Sequence, residues 1–279
     1  MPPSYVHVVT ALRSAGCVFA EDEARLILTA ARTPAELTAM VDRRAAGRPL
    51  EHVLGWAEFS GLRIAVEPGV FVPRRRTEFL IGQAVGLARA LASEAPVVVD
   101  LCCGSGAVGA ALVASLPGAE LHAADIDPVA VRCARRNVGG RGRVYEGDLF
   151  GPLPRELRGR VGVLAANVPY VPTGEVGLLP PEARDHEPLV ALDGGGDGLD
   201  VLRRVLAEAP GWLAPGGSLL VETSERQVGL AVELFTAAGL VPRVKVSEEL
   251  HAHVVVGRRG LPDTAERPRV RARREGSRP

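Results

Sequence analysis

Lysine is nearly absent from this chain: Lys245 is its only one, and arginine supplies the remainder of the 33 basic residues. Those are matched by 33 acidic ones, so the formal charge is zero and no global field draws the protein to nucleic acid or an anionic membrane. Stable nucleic-acid binding is therefore not expected. Aromatics are scarce at 4%, which leaves the core to Val, Leu and Ala. The four cysteines, Cys17, Cys102, Cys103 and Cys133, show no C-x-x-C spacing and no histidine pair at ligand distance, so no metal site is expected. The start lacks a charged segment followed by an apolar stretch, and no run of roughly 18 apolar residues occurs. Neither export nor a membrane span is expected, and a cytoplasmic protein is.

What is present describes a globular chain, with 47% hydrophobic and 24% charged residues over 279 positions. That length sits near the upper edge of one core, so a large domain with a smaller accessory region is expected. From Ser4 to about Gly47 apolar residues recur at helical spacing (Val6, Val9, Leu12; Leu26, Ile27; Leu37, Met40, Val41), with breaks at Gly16 and Thr33-Pro34. Three helices are predicted. Glu58 to Val66 alternates around Gly61 as a short hairpin does, and Pro73 to Arg76 reads as a connection. Residues 1–75 are thus expected to form a small helical accessory domain with a hairpin linker.

Beyond Glu78, short unbroken apolar runs at 97–101, 120–124, 143–145, 161–166, 217–222, 241–246 and 252–257 alternate with helical stretches. Such runs predict an α/β domain over residues 76–260, built on a mostly parallel Rossmann-like sheet covered on both faces. The last two lie too close for an intervening helix and should pair antiparallel near an edge. Residues 261–279, rich in Arg, Pro and Gly, predict a disordered basic tail.

Val97-Val-Val-Asp-Leu-Cys-Cys-Gly-Ser-Gly-Ala-Val-Gly109 is a strand running into a glycine turn and a helix, with Gly104, Gly106 and Gly109 spaced as G-x-G-x-x-G. Glycines there permit a tight turn and close approach of a ligand to backbone. Asp125, 19 residues after Gly106, ends the second strand where ribose hydroxyls can be met. A nicotinamide dinucleotide and S-adenosylmethionine both suit these two features. Asp100 separates them: a carboxylate closing the first strand repels a pyrophosphate but welcomes an ammonium and a sulfonium. Asp148 closes the third strand region in Gly147-Asp148-Leu149-Phe150, where it can accept the exocyclic amine of adenine while the apolar neighbours sandwich the ring. Cys102 and Cys103 read as small packing residues.

After the fourth strand the chain reads Asn167-Val168-Pro169-Tyr170-Val171-Pro172. An amide nitrogen is a poor nucleophile because its lone pair is delocalised. An Asn side-chain oxygen and the next backbone carbonyl can grip both N–H bonds of such an amide and aim the nitrogen at a sulfonium methyl. Pro169 limits backbone freedom, and Tyr170 offers a flat face to a planar group. Residues 171–198 lack periodicity over a length that usually marks a functional loop. His186 beside Glu187 reads as a structural feature of that loop.

With these residues in hand, the chain resembles the HemK/PrmC family of protein-(glutamine-N5) methyltransferases, whose signature after strand four is Asn-Pro-Pro-Tyr. The likeness runs through Pro49-Leu50, the Glu58-Phe59-x-Gly61 hairpin, Phe71 to Glu78, the Asp100 loop, Asp125-Ile-Asp-Pro128, Asn137, Asp148-Leu-Phe150, Glu187-Pro188 and Ala191 to Leu199. The resemblance implies a seven-stranded class I methyltransferase domain, S-adenosylmethionine as donor, and the glutamine of a Gly-Gly-Gln loop in a peptide chain release factor as acceptor. It also implies that Asn167, the Val168 carbonyl, Pro169 and Tyr170 hold the acceptor. Asp100, Cys102, Gly104, Gly106, Asp125, Ile126, Asp148 and Leu149 would hold the cofactor, with Asn167 adjoining both. A monomer is expected.

The sequence departs from the family pattern at Val168, which replaces a proline, at Cys102, which adds bulk to the glycine loop, and at Arg75 and Arg76, which replace a proline and an acid. A paralogue acting on a different protein glutamine is one alternative. An N6-adenine-type nucleic-acid methyltransferase and a non-catalytic binding protein are two others.

Overall fold

The computed structural model describes residues 4–91, 93 and 95–261; the tail expectation falls mostly on 262–279, outside the described residues. Helices α1 (Tyr5–Ser14), α2 (Ala20–Ala30) and α3 (Pro34–Ala45) enclose a small core of Val8, Leu12, Ala24, Ile27, Leu37 and Met40. Ser4 and Thr33 cap α1 and α3 by accepting from the third backbone N–H onward, as short oxygen-bearing side chains do at helix starts. A fourth helix, α4 (Leu50–Leu54), contributes Val53 to this core. Five residues are too few to show a helical period, which is why the sequence does not reveal it.

Strands β1 (Trp56–Phe59) and β2 (Leu62–Ala65) form the expected hairpin, turning through Ser60 and Gly61, both at positive φ. Ala57, Phe59, Ile64, Val66, Val70 and Val72 are buried in the core of the larger unit. Asn137 fastens them there, its amide pairing with Ala65 N and O and with Ser105 O at 2.8 Å each. The two apolar cores thus divide between Leu54 and Ala57.

The larger unit continues as α5 (Glu78–Arg89), β3 (Val97–Leu101), α6 (Ala107–Ser115), β4 (Glu120–Asp125), α7 (Pro128–Val138), β5 (Gly142–Glu146) and β6 (Val161–Ala166). It ends with α8 (Pro181–His186), α9 (Asp200–Trp212), β7 (Leu213–Thr223), α10 (Val228–Ala237), β8 (Val241–Ser247) and β9 (Ala252–Arg258). The seven-stranded sheet has the order β5-β4-β3-β6-β7-β9-β8. Pairings from β5 to β7 are parallel; β9 runs antiparallel between β7 and the edge strand β8, as their close spacing in sequence predicts. Both faces carry apolar cores, one against α5, α6 and the hairpin, the other against α9 and α10. No described helix is long and apolar enough to cross a membrane.

Candidate functional site

Strand order reverses at β3, with β4 on one side and β6 on the other, so the loops leaving their carboxyl ends diverge and open a crevice. A cavity of about 460 Å³ occupies it. The loop after β3 contributes Asp100, Cys102 and Gly104; that after β4 contributes Asp125 and Ile126; that after β5 contributes Asp148 and Leu149; that after β6 contributes Asn167, Val168, Pro169 and Tyr170. Eleven of the twelve sequence-derived candidates therefore line a single cavity. The exception is Gly106, whose φ is +75° and where an added Cβ would lie 2.9 Å from Ala134 Cα. Its bare backbone serves the packing of α6 on α7. Gly106→Ala is accordingly expected to cost ~2–3 kcal/mol of stability, read as a lowered denaturant midpoint, through a strained φ and overpacking.

Asp100 is 1% exposed. Its Oδ2 accepts from Gly109 N at 2.8 Å, while its Oδ1 finds no hydrogen-bond partner among the described residues. Burial, opposed by that backbone bond and reinforced by the nearby Asp125 charge, pushes its pKa up to about 7. Asp125 is held at both oxygens, Oδ2 by Gly104 N at 2.8 Å and Oδ1 by Asp127 N at 2.9 Å. Burial raises its pKa too, against the pull of those N–H groups. Asp127 in turn caps α7 through Val129 N at 2.8 Å. Burial also pushes the Cys102 and Cys103 thiols up, which leaves them protonated and inert. Cys102 sits at φ +54°, a left-handed conformation costly for a side chain, so the turn is imposed by its surroundings. Asp148 is exposed and paired with Arg204 of α9.

After β6, Asn167 Oδ1 is buried and likewise has no partner among the described residues. Val168 turns its side chain into the core that includes Leu199 and Leu202, which accounts for an aliphatic residue there. Tyr170 is anchored at both ends. Its carbonyl accepts from Gln227 Nε2 at 2.9 Å; its hydroxyl donates to Glu222 Oε1 at 3.3 Å and accepts from Arg76. Burial, and then the charge of Glu222, push the Tyr170 pKa to about 12, so the hydroxyl stays protonated. Arg76 Nε donates to the same Glu222 oxygen at 2.9 Å, and Glu222 is 2% exposed. The segment from Leu192 onward presses on this turn, with Val171 N donating to Leu192 O and Gly194 N to Val171 O. At Gly198, φ +79°, a Cβ would lie 2.3 Å from Tyr170 O. Only glycine fits so close an approach.

Arg76, which lines the cavity, and Glu222 and Gln227, which hold Tyr170 from behind it, are residues that the sequence reading missed or left without a role. Glu222 had a signal, an acid closing an apolar run as Asp100 does, whereas Gln227 had none. Glu187 is buried and accepts two bonds from Arg74, both at 2.6 Å, which makes it a loop anchor. Among the described residues no cluster of His, Cys, Asp and Glu could hold a metal.

Two buried oxygens without partners, Asp100 Oδ1 and Asn167 Oδ1, thus belong to residues lining one cavity. The Asn167 oxygen and the ionised Asp100 carboxylate accept and do not donate, so the chemistry they suit is N–H, as an ammonium or a planar amine, and not phosphate.

Residues 61–157 match the family model of the methyltransferase small domain. The chain is 41% identical over 198 residues to the release factor glutamine methyltransferase of Streptomyces coelicolor, covering 71% of this chain and 70% of that one. It is 38% identical to the 4-amino-L-phenylalanine/4-methylamino-L-phenylalanine methyltransferase of Streptomyces pristinaespiralis, covering 71% and 69%. Among solved structures, a methyltransferase from Pyrococcus furiosus superposes with a TM-score of 0.52 at 18% identity, covering 72% of this chain and 90% of that one, which speaks to the fold.

Proposed function

We propose, since the chain belongs to the release factor glutamine methyltransferase family, that it transfers a methyl group from S-adenosylmethionine to the side-chain amide nitrogen of a glutamine in a release factor. The observation that carries this reading is the pair of buried, unpartnered acceptors in residues that line one cavity, Asp100 Oδ1 and Asn167 Oδ1. Asp100 would take the donor's ammonium, Asp125 its ribose hydroxyls, and Ile126 and Leu149 the faces of its adenine. The donor, when bound, supplies an electrophilic methyl on a cationic sulfur that departs as a neutral thioether.

The chain's own contribution is orientation. Asn167 Oδ1 and the Val168 carbonyl would accept the two amide N–H bonds, which fixes the plane of the carboxamide and leaves one nitrogen face toward the donor. Tyr170, held by Arg76, Glu222 and Gln227, gives that plane a rigid neighbour. As the N–C bond forms the nitrogen becomes acidic and sheds a proton, so Tyr170 need not act as a base. The Streptomyces pristinaespiralis relative gives a second reading, because an aryl amine offers the same planar NH₂ to the same clasp.

Incubation with labelled S-adenosylmethionine distinguishes them. Label is expected in an intact release factor, lost when the glutamine of its Gly-Gly-Gln loop is replaced, and absent from 4-amino-L-phenylalanine. Label on the aryl amine alone, or on neither acceptor, overturns the proposal.

A further inference from the structure

The segment that follows β6 and walls the cavity with Leu179, Pro180, Glu182 and Ala183 is poorly equipped to hold its own position. Its helix, α8, has six residues and no capping side chain, too short to persist unaided. Something outside it must fix it, and one of the groups doing so belongs to the small helical unit.

That group is Arg44, on α3, 6% exposed. Its guanidinium uses one edge on Glu23 of α2, with Nε to Oε2 at 2.6 Å and Nη2 to Oε1 at 3.0 Å. The remaining nitrogen, Nη1, reaches Arg48 O at 3.0 Å and Glu182 Oε1 at 2.7 Å. A buried cation needs one carboxylate for neutrality, and the bidentate Glu23 provides it. Glu182 is thus surplus to charge balance, and its side chain remains 45% exposed. What it adds is a tie from the helical unit to the cavity wall. The second tie, Arg74 to Glu187, comes from the connecting segment at the other end of α8.

We infer that Arg44 is a positioning residue: through Glu182 it sets the wall segment 179–183 against which a protein acceptor lies, so that the helical unit shapes the acceptor side of the cavity without touching the reacting atoms. The kinetic part of this inference rests on the reading given under the proposed function. The structural part does not.

Glu182→Gln weakens the tie from the loop side, replacing a charge-assisted contact by a neutral one, and leaves Arg44 neutralised by Glu23. Glu23→Leu combined with Arg44→Met removes it from the other side, replacing a buried ion pair as a whole and so avoiding an orphaned charge. Amide hydrogen exchange across residues 181–188, followed without any acceptor, is expected to quicken about tenfold in both variants, since a lost tie lowers the cost of local opening. With a release factor as acceptor, KM is expected to rise about tenfold in each, with kcat and donor affinity within about twofold of wild type. Glu182→Asp should recover part of the loss, and the triple variant should be no worse than either. Unchanged exchange in Glu182→Gln overturns the inference. So does a kinetic loss confined to Glu182→Gln, which would mean direct contact with the acceptor, or losses that multiply in the triple variant. If wild-type protein transfers no methyl to a release factor, the functional reading fails, while exchange still decides whether the tie exists.

Discussion

Asn167→Ala is expected to lower the rate of methyl transfer by about a thousandfold or more while the affinity for S-adenosylmethionine stays within about threefold. The asymmetry follows from where the side chain sits. Asn167 follows the end of β6 in the cavity lining, and its Oδ1 is buried with no partner among the described residues. A buried acceptor left unpaired costs ~1–3 kcal/mol, so a protein retains one where a ligand completes it. If an acceptor amide does so, alanine removes one of two oxygens that orient the nitrogen, and effective molarity falls steeply with misorientation. The same substitution relieves the unpaired oxygen in the free protein, so the thermal midpoint should hold or rise slightly although activity disappears. Single-turnover transfer and calorimetric titration of the donor separate the outcomes. Parallel loss of binding and turnover would assign Asn167 to the donor half and break the proposed division of the cavity.

How far the sequence reveals this arrangement depends on which physics each part obeys. The seven strands are legible because a sheet buried on both faces needs continuous apolar runs, and β3 and β6, buried at every position, show them plainly. Asp100, Asp125 and Asn167 are legible because each is a polar residue closing such a run, where a doubly wound sheet places its ligands. What stays hidden depends on contacts between distant segments. Arg76 meets Glu222 across 146 positions, and Asn137 fastens the hairpin across 72, and neither pairing has a local periodicity to announce it. The hairpin shows the same limit: its alternation is plain, but which core it joins is decided by Phe59 and Ile64 packing beneath α5 and α6, not by its place beside the helices in the chain. Gly106 shows a converse one, since a motif position associated with phosphate turns is occupied for helix packing.

Asp100→Asn should separate stability from binding, with opposite signs. In the free protein the Asp100 carboxyl has its pKa pushed to about 7 by burial, against 3.8 for an ordinary aspartate. Between those values the folded state binds more protons than the unfolded one, so this group's contribution to stability is complete below about pH 4 and is lost as pH rises toward 7. The interval sets a ceiling of ~4 kcal/mol on the loss, at ~1.4 kcal/mol for each pH decade. Asparagine stays neutral throughout, so at pH 8 the variant should melt several degrees above wild type, and the difference should vanish near pH 4. Donor binding should behave oppositely. An ammonium requires the ionised carboxylate, so wild-type affinity should fall about tenfold per pH unit below 7 and level off above it, until the donor's own amine deprotonates near pH 8. Titrations in buffers of different ionisation enthalpy should show about half a proton released per donor bound at pH 7 and nearly a whole one at pH 6. In Asp100→Asn both the proton release and the slope should vanish, with affinity reduced by a hundredfold or more at pH 8. A wild-type dissociation constant that stays flat from pH 6 to 8 would remove Asp100 from the ammonium site, and with it the argument that this cavity is built for a cationic methyl donor.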